Sequence, residues 1–124
     1  MKELPQTYYG YRYPAEIISH AVWLYHEFAL SFRQVEERLA ERRIVVTYET
    51  IRQWCEKFGP EFAAAPKPRR YRREDPWYLD VVVVSIAGER LYLWRATDKH
   101  DNLIDVFVQT KQNRTTAESF LRRC

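Results

Sequence analysis

The chain has 124 residues, 46% hydrophobic and 30% charged, with a formal net charge of +3. This length suits one ordinary domain or two very small ones, and the composition excludes a largely disordered chain. No apolar run approaches the roughly 18 residues of a membrane span, and MKELPQTYYGYRYP lacks the apolar core of a signal peptide, so a cytoplasmic protein without a membrane partner is expected.

The first half reads as helical. Pro14 suits the first turn of a helix in which Ile17, Ile18, Ala21, Val22, Leu24, Tyr25 and Phe28 recur at helical spacing. Ser31 is placed to cap a second helix with Phe32, Val35 and Leu39 on its apolar side. RIVV forms a turn, Thr47 caps a third helix (YETIRQWCEKF), and Gly59 and Pro60 are expected to end it. Ile51, Trp54, Cys55 and Phe58 should face inward. Tyr48, Glu49, Arg52, Gln53 and Glu56 should face outward, with Thr50 and Lys57 at the edge.

A tight turn between the second and third of three short helices is the helix-turn-helix plan, assigned to residues 1–59. Arg and Gln side chains there can pair with guanine or adenine edges in the major groove. A plain three-helix bundle with a polar outer face fits the same pattern. The basic stretch that follows favours DNA.

Residues 60–76 read as a linker, holding four of the six prolines and the run KPRRYRR. Its Lys67, Arg69, Arg70, Arg72 and Arg73 suit phosphate contacts, and equally a solvated linker that binds nothing specific. Cys55 and Cys124 form no metal-ligand spacing and read as free thiols, which excludes a structural zinc site.

Residues 77–124 read as strands and a helix. Trp77–Ile86, Arg90–Thr97 and Leu103–Gln109 are joined by AGE and DKHDN, an antiparallel meander. Asp98 and Asp101 read as turn formers. The helix in NRTTAESFLRR can be capped by Asn113 or by Thr115, the latter with Glu118 in the capping-box position. The fold class is therefore α+β.

WYLDVVVVSI carries a bare carboxylate, Asp80, on an otherwise apolar strand. From spacing alone, a charge at a strand end or edge explains it. A resemblance suggests more. LSFRQVEERLAERRIVVTYETIRQWCEKFGPEF resembles the N-terminal helix-turn-helix of transposases of the insertion-sequence family six group. WYLDVVVVSIAGERLYLWRATDKHDNLIDVFVQTKQNRTTAESFLRR resembles the opening of their DDE catalytic domain, which has an RNase H-like fold. The resemblance covers about residues 12–123, with Val81 where the family commonly has an acidic residue.

The resemblance implies that Asp80 is the first of three carboxylates holding two divalent metals, Mg²⁺ or Mn²⁺. Such a pair, about 4 Å apart, activates the attacking oxygen and stabilises the leaving one at a phosphodiester. The second Asp and the Glu of that set belong beyond residue 124. The chain is therefore expected to be a C-terminally truncated transposase with an incomplete RNase H-like unit, unable to transfer strands alone or to hold the metals stably.

Its implied partner is double-stranded DNA, the terminal inverted repeat of a bacterial insertion sequence, which would associate it with the nucleoid. Tyr48, Arg52, Gln53 and Lys57 would contact the groove or its flanks, and Arg69, Arg70, Arg72 and Arg73 the backbone. Pairing with itself or with an intact transposase that it inhibits, and a functionless gene remnant, are the alternative readings. The first strand would offer an unpaired edge, and residues 77–124 a thin core, whereas residues 12–59 are expected to fold by themselves.

Overall fold

The computed structural model describes residues 13–64 and 76–121. Three helices come first: α1 (Ala15–Glu27), α2 (Phe32–Glu41) and α3 (Tyr48–Ala64). Strands β1 (Tyr78–Ile86), β2 (Glu89–Thr97) and β3 (Leu103–Gln109) follow, then α4 (Arg114–Leu121). The strands form one antiparallel sheet in the order β1-β2-β3, the meander expected at the opening of an RNase H-like unit.

Local chemistry sets most boundaries. Pro14 precedes α1, and its carbonyl accepts from the Ile17 and Ile18 amides. Ser31 and Gln34 close a capping box on α2: the Gln34 amide donates to Ser31 Oγ at 3.1 Å, and the Ser31 amide to Gln34 Oε1 at 2.8 Å. At the other end of α2 the amide of Arg43 donates to Ala40 and that of Ile44 to Leu39, a Schellman closure. Arg43 adopts φ 64°, a conformation glycine takes more readily. Its guanidinium lies over the rings of Phe107 and Phe120, at 5.6 and 5.4 Å, an attraction that helps hold the turn.

The β1–β2 loop has two residues, Ala87 and Gly88, both with positive φ as a type I′ hairpin turn needs. Asp98 does build the next turn: its Oδ1 accepts from the amides of His100 and Asn102 at 2.8 and 2.9 Å. Asp101 sits in that turn at φ 62°. Asn113 caps α4, accepting from the Thr116 amide at 3.1 Å. The Thr115 capping box does not form, because the helix already begins at Arg114 and Thr115 lies inside it; Glu118 pairs with Arg114 at 2.8 Å.

Gly59 and Pro60 do not end α3, which continues through both to Ala64. Pro60 removes one backbone donor, but Gly59 serves packing. A Cβ there would stand 3.1 Å from His26 Nε2, so the missing side chain lets α1 and α3 approach closely. The run KPRRYRR, with the rest of residues 65–75, lies outside the described residues.

The sheet has different neighbours on its two faces. Leu91, Leu93, Val106 and Val108 join Ile17, Ile18, Val22, Val35, Leu39, Ile51 and Phe58 in one buried cluster. Trp94, Ala96 and Phe107 pack on the other side with Ala117 and Leu121 of α4. The helical unit and the strands, read from sequence as separately folding, thus share their larger core. An apolar sheet face must be covered, and α1 covers this one.

A buried ionic cluster crosses the same seam. Asp105 of β3 is 8% exposed. It accepts from Arg42 Nε at 3.0 Å and lies 3.4 Å from His20 Nε2. Burial alone would raise its pKa, but the hydrogen bonds and charges of His20 and Arg42 outweigh that and hold it well below the usual carboxylate range. The Val108 amide donates to the Arg42 carbonyl at 3.1 Å, so the α2–α3 turn also covers part of the outer edge of β3.

Candidate functional site

The α2–α3 pair presents the residues expected to meet DNA. Thr47 caps α3 by accepting from the Thr50 amide at 3.3 Å. Ile51, Trp54, Cys55 and Phe58 are buried as their spacing predicts, which turns the opposite side of the helix to solvent. Burial pushes the Cys55 thiol up to about 11, an unreactive cysteine.

Tyr48 is 39% exposed, with the Arg33 guanidinium 4.4 Å above its ring. Gln53 and Lys57 are exposed and line a shallow groove of about 550 Å³ beside the α2–α3 turn. Arg52 is half-buried and engaged on its own helix. Its Nε donates to Glu49 Oε2 at 3.0 Å and its Nη1 to Glu56 Oε1 at 2.6 Å. These bonds raise the Arg52 pKa further, Glu49 contributing most, and Arg52 in turn lowers that of Glu49. Arg52 can contact a base only by giving up such bonds. Tyr48, Arg52, Gln53 and Lys57 all lie in the first three turns of α3, whereas Arg69, Arg70, Arg72 and Arg73 lie outside the described residues.

Asp80 lies on β1, with its side chain 55% exposed. Nothing extends the sheet beyond β1 among the described residues, so Asp80 sits on an edge strand. It pairs in register with Arg95 of β2. Arg95 Nε donates to Asp80 Oδ1 at 2.9 Å, and Nη2 to Oδ2 at 2.5 Å. The remaining Nη1 reaches Glu16 Oε2 of α1 at 3.3 Å. The Arg95 pKa is raised, chiefly by the hydrogen bond to Asp80.

Among the described residues no three His, Cys, Asp or Glu side chains are grouped to hold a metal ion. A carboxylate already forked by a guanidinium, with no second carboxylate converging on it, does not fit a two-metal centre.

Sequence reasoning missed Arg95, although a two-residue loop at Ala87–Gly88 places residue 95 opposite residue 80. Glu16, His20 and Arg42 had no such local signal, because their partners are far away in the chain. No described helix is long and apolar enough to cross a membrane.

Comparison with known proteins finds similarity in both halves. A family model described as a DDE domain matches residues 74–124. The transposase for insertion sequence-like element IS431mec of Staphylococcus aureus is 26% identical over 118 residues, covering 94% of this chain and 53% of the relative. The transposase for insertion sequence element IS257 in transposon Tn4003, from the same species, matches with the same identity and coverage. An uncharacterised protein of Yersinia pseudotuberculosis is 34% identical over 58 residues, covering 44% of this chain and 54% of that protein. No solved structure matches the chain. The chain thus spans about half the length of the Staphylococcus aureus relatives. The match to those transposases runs through both the helical unit and the strand carrying Asp80, so over nearly its whole length the chain is similar to transposases of insertion sequences.

Proposed function

We propose that this chain binds duplex DNA through α2 and α3, recognising the terminal inverted repeat of an insertion sequence. On this reading it carries the first DDE carboxylate without joining or cutting DNA alone. The observation that carries the reading is the outer side of α3, where Tyr48, Arg52, Gln53 and Lys57 are displayed behind a tight, capped turn. Side chains of this kind at the start of a second helix suit the major groove. Arg69, Arg70, Arg72 and Arg73 would add phosphate contacts. Mg²⁺ or Mn²⁺ would serve a full set of carboxylates, and Asp80 by itself would hold neither stably. The proposed setting is the bacterial nucleoid.

Fluorescence anisotropy tests this. The chain is titrated into a labelled duplex carrying the end repeat and into a shuffled duplex, across a salt series. Preference for the repeat with steep salt dependence is expected. Equal, weak binding to both duplexes would overturn the recognition.

A second reading rests on the outer edge of β1, which is unpaired among the described residues and carries Val83 at 53% exposure. Such an edge can accept a strand from another molecule. The chain would then pair with itself or inhibit an intact transposase. Co-purification with a full-length relative that survives nuclease treatment would support this reading, and loss of the partner on nuclease treatment would count against it.

A further inference from the structure

Arg33, the second residue of α2, is exposed, and its guanidinium lies 4.4 Å above the ring of Tyr48, the first residue of α3. Glu36 and Glu37 stand three and four positions on, the spacing of helical ion pairs. Arg33 stacks on the ring instead, and makes no hydrogen bond or ion pair among the described residues. Arg42, Arg52, Arg95 and Arg114 each give their donors to a carboxylate. Glu49, next to Tyr48, is itself taken by Arg52.

A guanidinium stacked on a ring uses only its flat face. Its five N–H donors lie in the plane and stay open to a partner. Two parallel N–H groups match the oxygens of a phosphate or a carboxylate. The ring also fixes a long side chain before any ligand arrives, which lowers the entropic cost of binding. The place of the pair in the fold chooses between the two anions. Tyr48 lies on the side of α3 read as facing DNA. In helix-turn-helix docking the helix before the one in the groove crosses the sugar–phosphate backbone. A side chain at the start of α2 therefore meets phosphate and not a base edge.

We infer that Arg33 forks a DNA phosphate and that Tyr48 is its positioning residue, holding the guanidinium with the face of its ring. This rests on the reading that α2 and α3 bind DNA. It extends the contact surface from α3 to α2, and it assigns the Tyr48 ring a task that its hydroxyl does not share.

The test is anisotropy of the full chain on the end-repeat and shuffled duplexes across a salt series. Arg33→Ala should weaken binding to both duplexes by the same factor and lower the salt slope by about 1, the mark of one phosphate contact. Tyr48→Ala should weaken binding by about threefold, the worth of an exposed cation–π contact. Tyr48→Phe keeps the ring and should bind as wild type does. Arg33→Ala combined with Tyr48→Ala should lose nothing beyond Arg33→Ala alone. Both side chains are exposed, so the fold should survive every substitution.

If Arg33→Ala keeps the wild-type affinity and slope while the repeat is still preferred, the phosphate assignment is overturned and DNA recognition stands. A loss confined to the repeat would put Arg33 on a base and overturn it as well. Equal damage from Tyr48→Phe and Tyr48→Ala, or additive losses in the double variant, would overturn the positioning role of Tyr48. If wild type binds both duplexes equally and weakly, the DNA reading and this assignment fall together.

Discussion

Asp80 and Arg95 face each other across the β1–β2 hairpin, and the guanidinium takes both carboxylate oxygens while extending a third nitrogen to Glu16. One cation thus joins Asp80 of β1 to the first helix of the helical unit. Any metal at Asp80 would have to displace an arginine that Glu16 also holds. Millimolar Mg²⁺ should therefore leave the melting temperature of this chain unchanged, since stabilisation by a ligand requires occupancy. Asp80→Asn should cost about 1 kcal/mol or less, because the pair is half in water. A thermal shift with Mg²⁺ that Asp80→Asn removes would show that the metal displaces Arg95.

The Asp105 cluster predicts acid sensitivity. The Asp105 pKa is held below its ordinary 3.8 when folded and returns towards that value on unfolding. The contribution is therefore fully present above about pH 4 and is lost progressively as pH falls from there towards the depressed folded value. Asp105→Asn should flatten this part of the stability–pH profile, read from urea midpoints at a series of pH values. It should also lower stability at neutral pH by about 3 kcal/mol, since the Arg42 guanidinium is left without its buried partner.

Shared burial predicts shared unfolding. Leu93 is fully buried in the cluster that contains Ile17, Ile18 and Phe58. Leu93→Ala should cost about 3 kcal/mol, in the range for emptying a packed leucine site. Amide exchange should quicken in α1 and α3 as well as in β2. Unchanged protection in the helices of this variant would mean that the helical unit is stable without the sheet.

Arg52 is restrained by Glu49 and Glu56, which sets the direction of two substitutions. Glu49→Gln should raise DNA affinity a few-fold at low salt, because it removes a charge that repels phosphate and loosens the hold on Arg52. Arg52→Ala should lower the ratio of target to shuffled binding. An unchanged ratio would assign base reading to other residues.

The basic run should act differently. Arg69→Ala with Arg70→Ala should weaken binding to target and shuffled duplexes alike and reduce the salt slope by about 2, as loss of two phosphate contacts does. A changed preference between the duplexes would place one of these arginines on a base.

Local chemistry and periodicity made much of the architecture legible in the sequence. Apolar spacing marked the buried side of α3, Ser31 and Thr47 marked helix starts, and the short AGE and DKHDN links marked a meander. These depend on neighbours within a few residues, where backbone sterics and capping decide the outcome. The motif around Asp80 and the helix-turn-helix pattern likewise carried the resemblance to insertion-sequence transposases. What lay beyond sequence were the contacts made across the fold. Glu16 meets Arg95 79 positions away, and Arg42 meets Asp105 63 positions away. No periodicity encodes such pairs. They exist because the apolar face of β2 and β3 can be buried only against α1, and that packing brings charged side chains from both halves into one seam. Nor did local signals show that α3 runs past Gly59 and Pro60, with Gly59 beside His26 of α1, or that Val45 lies in water between two buried neighbours.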